Sequence, residues 1–316
     1  MKILGLSCGR KLGNSEILVI EALMAAKELN IDVEIIRMHD LKLKPCKGCL
    51  SCIKSFFKNG PPGKCVIDDD DVIFFADKVL DADGIIIAAP TYLGSPPGYF
   101  RILSDRMGPA YDKAFHFRAK TMGNKYVDER FFKPRVAGTI AVGGAMDCDC
   151  QPGSFLLQHS FLNSMMIPVV DHFTAVDCSE ARQVLLNDLS IKKARMLGIN
   201  VAKSLGKSAD EAQFLGTDSG ICPVCHERVL TVWKEFPHVI CPGCRVKGII
   251  KGKDLEIVFD KDDIANSMRN SLRARTEHLF EIKDMDGRYQ NGKDEIRNKS
   301  KKYQSFKSYS KPPNKT

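Results

Sequence analysis

Gly84-Ile-Ile-Ile-Ala-Ala89-Pro90-Thr-Tyr-Leu-Gly-Ser-Pro-Pro97 is an unbroken apolar run that stops at a cluster of turn formers. A strand with one wet face alternates in polarity. A strand covered on both faces does not, and such strands belong to parallel sheets enclosed by helices. Working outward, similar segments recur at helix-length intervals. Lys2-Ile-Leu-Gly-Leu-Ser7 precedes Cys8-Gly-Arg-Lys-Leu-Gly-Asn-Ser15, after which Ile17, Leu18, Ile20, Ala22, Leu23 and Ala26 mark one broad helical face. Asp32 to Met38 reads as a second strand. The acids Asp68 to Asp71 open a helix through Leu80, where negative charge is favourable. A further helix ends at Met107, and residues 108–134, basic and poorly periodic, read as an insertion or lid. Arg135 to Val142, Phe155 to Met165, Ile167 to Ala175 and Glu180 to Leu205 read as strand, helix, strand and long helix. The alternation predicts an α/β fold, a doubly wound parallel sheet of five strands.

The chain has 316 residues and is 44% hydrophobic, enough for one substantial domain and a smaller unit. It opens directly on a strand, with no apolar leader or membrane-length segment, which predicts a cytoplasmic protein without membrane contact. Formal net charge is +8, but residues 287–316 hold nine Lys/Arg against two acids, so the body is nearly neutral. Charge therefore says little about what the main domain binds.

Twelve cysteines in such a chain point to metal and redox chemistry rather than disulfides. Eight form two quartets. Cys46, Cys49 and Cys52 lie at two-residue gaps and Cys65 follows a Gly-Pro-Pro-Gly return, a thiolate set suited to an iron–sulfur cluster, with zinc as the competing occupant. Cys222-Pro-Val-Cys225 and Cys241-Pro-Gly-Cys244, fifteen residues apart, read as a zinc ribbon. Cys148 and Cys150 are either an auxiliary redox pair or incidental thiols, and His159 and His172 read as structural.

In open parallel sheets ligands bind beyond the carboxyl ends of the strands. After the first strand, Ser7, Arg10, Asn14 and Ser15 at a helix start suit a phosphate. With neither Gly-x-Gly-x-x-Gly nor a Walker lysine, FMN fits better than a dinucleotide or triphosphate. Pro90, Thr91, Tyr92, Leu93 and Gly94 suit the edge and face of its ring, and Gly143 and Gly144 let backbone approach it. No catalytic residue is assigned.

The segment Arg10 to Ser15, the cysteine run, Pro90 to Gly94 and Gly143-Gly144 together resemble the iron–sulfur flavoproteins of anaerobic microbes. These belong to the flavodoxin-like, NAD(P)H-dependent FMN reductase superfamily. The resemblance covers roughly the first two hundred residues. It implies FMN, a [4Fe–4S] cluster, a homo-oligomer (dimer or tetramer), and electron transfer between a ferredoxin-like or NAD(P)H donor and an acceptor. Either Ser7 or Cys8 is implied to face the phosphate. The expected domains are a flavodoxin-like unit over 1–207 with its cysteine loop at 44–66, a zinc ribbon over 216–260, a helix over 261–286 and a disordered basic tail over 287–316. Two other functions compete. One is an NAD(P)H:flavin or quinone reductase with zinc on the first cysteine loop. The other is a redox-responsive regulator touching nucleic acid through ribbon and tail, where Tyr289, Tyr303, Phe306 and Tyr309 lie among lysines.

Overall fold

The computed structural model describes residues 1–304 except 64, 109, 147–152, 219 and 268–269. Strand β1 (Lys2–Ser7) leads into helix α1 (Asn14–Lys27), and β2 (Asp32–Arg37) into α2 (Ser51–Phe57) and α3 (Val72–Asp81). Next come β3 (Gly84–Pro90), α4 (Gly98–Met107), α5 (Lys113–Thr121), β4 (Val136–Val142), α6 (Gly153–Ser164), β5 (Val169–Ala175) and α7 (Asp188–Ser204). The five strands are parallel, in the order β2-β1-β3-β4-β5. This is the flavodoxin-like doubly wound order, with its switch point between β1 and β3.

Helices cover both faces. On one side α1 and α7 bury Ile3, Val19, Ala22, Ile86, Ile140 and Leu197. On the other, α3, α4 and α6 enclose Leu4, Leu6, Phe75, Ile87, Phe100 and Phe161. This double coverage accounts for the unbroken apolar run in β3. Gly198 sets the α1–α7 spacing, because a Cβ there would lie 2.0 Å from the Ala22 carbonyl oxygen.

Three segments differ from expectation. Residues 108–134, read as an insertion or lid without periodicity, hold regular structure among the described residues. Asp112 caps α5, and the helix buries Ala114, Phe115, His116 and Ala119. The His116 ring stacks on Phe131 at 3.4 Å, and its Nε2 lies 2.9 Å from the Ala110 carbonyl. Burial lowers the His116 pKa to about 4. A histidine used as an apolar plate hides the periodicity. The long closing helix begins at Asp188, where the Asn187 side chain accepts the Ser190 N–H at 3.0 Å.

Beyond α7 lies a second, antiparallel sheet of β6 (Thr231–Val232), β7 (His238–Ile240), β8 (Lys247–Lys251) and β9 (Glu256–Phe259). Helices α8 (Lys261–Ala265), α9 (Leu272–Asn291) and α10 (Lys293–Gln304) follow. Among the described residues, those up to Arg275 form one compact unit and those from Thr276 onward another. In the second unit the basic segment expected to be disordered from residue 287 is helical through Gln304. Strong helix formers and an i,i+4 Glu295–Lys299 pair at 2.5 Å support it. Phe306 and Tyr309 lie outside the described residues. No described helix is long and apolar enough to cross a membrane.

Candidate functional site

At the carboxyl edge of the parallel sheet, the loops after β1, β3, β4 and β5 enclose a cavity of about 240 Å³. Gly9, Arg10, Asn14 and Ser15 line it from the first loop, with Pro90, Thr91, Tyr92 and Gly144 opposite. Helix α1 starts here, and its N-cap Gly13 provides no side-chain acceptor. The positive helix end thus remains available to an anion. Gly9 keeps the loop tight, since a Cβ would sit 3.1 Å from Ser15 Oγ. Hydroxyl, guanidinium and helix-end donors thus surround this space and could hold an anion.

Three of the expected ligands, Ser7, Cys8 and Asn14, have side chains that are buried or engaged elsewhere. Strand residues alternate between faces. Leu4, Leu6 and Cys8 therefore enter the core on the α3–α4 side, where burial pushes the Cys8 thiol pKa far up. Its N–H is held by the Ala88 carbonyl at 2.9 Å, so neither the thiol nor the N–H of Cys8 faces the cavity as a donor. Ser7 faces the α1 side, fully buried, with its Oγ unpartnered among the described residues. Asn14 lines the cavity, but its amide is committed elsewhere. Nδ2 donates to the Cys178 and Glu180 carbonyls at 2.9 and 2.7 Å, and Oδ1 accepts the Val184 N–H at 3.2 Å. Its side chain holds the loop after β5 against α1.

The other loops interlock. Thr91 N–H donates to the Val142 carbonyl at 2.7 Å, and Thr91 Oγ1 lies 2.6 Å from Ser154 Oγ. Tyr92 and Ser95 exchange backbone bonds of 2.8 and 3.2 Å around a left-handed turn at Leu93 and Gly94. That turn turns Tyr92 (63% exposed) and Leu93 (106%) outward. Gly94 accepts the Gly153 N–H at 3.0 Å, which ties the turn to the start of α6. Gly143 bonds Ala175 and Cys178, both at 2.9 Å. Sequence reading missed Cys178 and Ser179, which also line the cavity. The signal was available, because a fifth parallel strand delivers its loop to the same edge. Burial raises the Cys178 pKa to about 11. Cys148 and Cys150 lie outside the described residues. Beside Tyr92 a wider groove of about 770 Å³ runs past Leu93, Pro97, Leu156 and Leu157 to Pro242.

The first cysteine quartet follows β2, so it leaves the sheet at the same edge. Cys46 and Cys49 are exposed, and Cys52 and Cys65 are half-buried. Gly48 and Ile67 point N–H groups at Cys46 and Cys65 sulfurs at 3.4 and 3.5 Å. Cys49 lies 3.3 Å from Ser51 Oγ, a bond that holds its pKa below the ordinary thiol value. The 108–134 segment is the bed of this loop. Phe56 packs edge-on to Phe115 at 5.0 Å, and Asn124 Nδ2 reaches Asn59 Oδ1 and the Gly60 carbonyl at 3.1 and 2.9 Å.

The second quartet is assembled differently. All four sulfurs are buried and lie within 4.8 Å of one another, and among the described residues the first quartet forms no such group. Neighbouring sulfurs are 3.4–3.6 Å apart. Four thiols held this close could together hold a metal. The two knuckles repeat one design. His226 and Arg245, each just after the second cysteine, take positive φ and donate to the Cys222 and Cys241 carbonyls at 3.0 and 2.9 Å.

The cysteine ribbon is fastened to the parallel-sheet domain by buried polar contacts. Glu227 Oε1 lies 2.7 Å from His159 Nδ1, both side chains being inaccessible, and His159 Nε2 lies 3.0 Å from Thr139 Oγ1. Asn163 Nδ2 donates to the Gly243 carbonyl at 3.1 Å, and Phe214 stacks on His226 at 4.0 Å. His172 stacks on Phe155 at 4.4 Å, and burial keeps it neutral with a pKa of about 2.

Residues 1–172 match the NADPH-dependent FMN reductase family. An iron–sulfur flavoprotein of Methanocaldococcus jannaschii is 33% identical over 211 residues, 64% of this chain and 96% of that one. One from Methanosarcina thermophila is 39% identical over 147 residues, 46% of this chain and 64% of its own. A protein named flavone synthase from Aspergillus candidus is 28% identical over 291 residues, 88% of each chain. The solved structure of a flavone reductase superposes with a TM-score of 0.81 at 26% identity, covering 99% of this chain and all of its own. With its sheet order and these relatives, the chain belongs to the NADPH-dependent FMN reductase family, among the iron–sulfur flavoproteins, and is a flavin-dependent oxidoreductase.

Proposed function

We propose that this protein passes electrons between a ferredoxin-like or NAD(P)H donor and a separate acceptor, as a cytoplasmic homo-oligomer. In this reading FMN occupies the first-loop cavity, a [4Fe–4S] cluster is held by Cys46, Cys49, Cys52 and Cys65, and zinc is held by Cys222, Cys225, Cys241 and Cys244. The observation that carries it is the delivery of two dissimilar sites, a phosphate cradle after β1 and a thiol loop after β2, to one edge of one sheet.

When bound, FMN exchanges electrons singly or in pairs and the cluster exchanges them singly. The protein's residues do the rest. Arg10, Ser15 and the first turn of α1 hold the phosphate, and Asn14 keeps the loop after β5 closed over that end. Thr91, locked by Ser154, and the Tyr92–Gly94 turn offer backbone and an aromatic face to the flat ring. The Glu16 carboxylate accepts the Leu12 N–H at 3.0 Å and pairs with Arg37 at 3.3 Å, which fixes the first loop against β2.

A second reading concerns the acceptor. The likeness to a flavone reductase runs the full length, ribbon included. The groove beside Tyr92 is largely apolar and ends on the ribbon's Pro242. Both features support a planar organic acceptor of the flavone kind. Anaerobic purification, with flavin, iron, sulfide and zinc measured on one sample, tests the main reading. One FMN, about four irons and one zinc per chain are expected. Zinc without iron would leave a plain NAD(P)H-dependent flavin or quinone reductase. Reduction of a flavone by the pre-reduced protein tests the acceptor.

A further inference from the structure

Arg106, near the end of α4, is 3% exposed and belongs to none of the sites assigned above. A guanidinium carries five N–H donors, and four of these can be traced. Nη1 donates to the Lys44 carbonyl at 2.9 Å and to Asp70 Oδ2 at 2.5 Å. Nη2 donates to the Ile67 carbonyl at 2.9 Å and to Asp70 Oδ1 at 3.3 Å. Lys44 lies two residues before Cys46, and Ile67 two residues after Cys65. One buried side chain therefore grips both feet of the first cysteine loop.

The strap is reinforced from the chain itself. Lys44 N–H donates to Asp70 Oδ2 at 3.0 Å, and Lys42 N–H to Asp71 Oδ2 at 2.7 Å. Asp71 N–H returns to the Lys42 carbonyl at 2.9 Å. The acids that read in sequence as a helix start are thus also the clasp of the loop. The fifth donor, on Nε, is buried without a partner among the described residues. An unspent buried N–H is costly unless something accepts it. The geometry reaches the cysteine through Ile67, whose carbonyl Arg106 holds and whose own N–H points at the Cys65 sulfur at 3.5 Å.

We propose that Arg106 is the positioning residue of the iron–sulfur site: with its buried partner Asp70 it clasps the loop at Lys44 and Ile67, and by holding the residue whose N–H faces the Cys65 sulfur it sets the cluster's reduction potential. The proposal rests on the cluster assignment made above. A cluster gains negative charge on reduction, so a facing N–H and a nearby buried cation both favour the reduced form and raise the potential.

The test uses full-length protein reconstituted anaerobically with iron and sulfide. Its readouts are iron, sulfide and FMN content and the cluster midpoint potential followed by electron paramagnetic resonance. Removing Arg106 alone strands a buried carboxylate and risks misfolding, so the informative variants are Arg106→Lys and the double variant Arg106→Gln with Asp70→Asn. The double variant also lacks the fork, so it is expected to keep one FMN per chain and to hold less iron, while the cluster that remains has a lower potential and a changed resonance spectrum. Arg106→Lys is expected to keep a potential close to wild type but to hold less iron, because lysine lacks the fork that reaches both carbonyls. A double variant with wild-type potential and spectrum overturns the proposal, as does full iron content in Arg106→Lys. Wild-type protein that takes up no iron instead sinks the cluster assignment itself, a failure visible before any variant is made.

Discussion

The two cysteine quartets place the same four ligands in opposite settings. Cys222, Cys225, Cys241 and Cys244 are buried, preassembled at contact distance and framed by two repeated knuckles. Cys46, Cys49, Cys52 and Cys65 lie open or half-open on a loop whose order comes from its feet and its bed. A site that serves the fold can be sealed, because nothing must reach it. A site that exchanges electrons benefits from lying near the surface, where a partner can approach.

Predicted effects on folding sharpen the contrast. With zinc on the ribbon as proposed, Cys225→Ala should remove it and unfold β6–β9, since metal binding in such modules is worth on the order of 10 kcal/mol of folding free energy. Zinc analysis and a loss of thermal stability check this; a ribbon that keeps its fold without metal would break the comparison. Glu227→Gln weakens the contact with His159 and should cost about 1–3 kcal/mol in denaturant unfolding. The result also tests whether ribbon and parallel sheet unfold together.

Asp171 lies where the chain enters the ribbon, accepting from Asn200 Nδ2 at 2.8 Å, and burial raises its pKa to about 6. The folded protein thus binds this proton more tightly than the unfolded chain does. The associated stability is fully present below pH 4 and is lost as pH rises through 6. Between pH 5 and pH 7 the loss should be about 1 kcal/mol and should vanish from the pH profile of Asp171→Asn. An unchanged profile would remove Asp171 from the account.

The smallest effect on stability is expected at the other quartet. Cys49→Ala should abolish iron and sulfide binding while altering FMN content little and stability by less than about 0.5 kcal/mol, because the residue is exposed. A large stability loss would mean that the open loop is structural too. Full iron content would remove Cys49 from the ligand set.

What could be read from the chain alone was local in sequence. Apolar runs without alternation specify strands covered on both faces, and their alternation with helical periods specifies a doubly wound parallel sheet. Cysteine spacing identifies both quartets, since gaps of two residues bring sulfurs together whatever the remaining chain does. Loops after parallel strands share an edge, so the cavity's place was legible as well. Tertiary structure decided the direction of each side chain and its distant partners. Strand alternation turned Cys8 into the core and Ser7 toward α1. Contacts across more than 160 residues committed the Asn14 amide to Cys178 and Glu180. Packing made residues 108–134 the bed of the cysteine loop, and burial coupled the ribbon to α6 through Glu227 and His159. Such pairs leave no periodic trace, because each is a single contact between residues whose spacing in the chain is arbitrary.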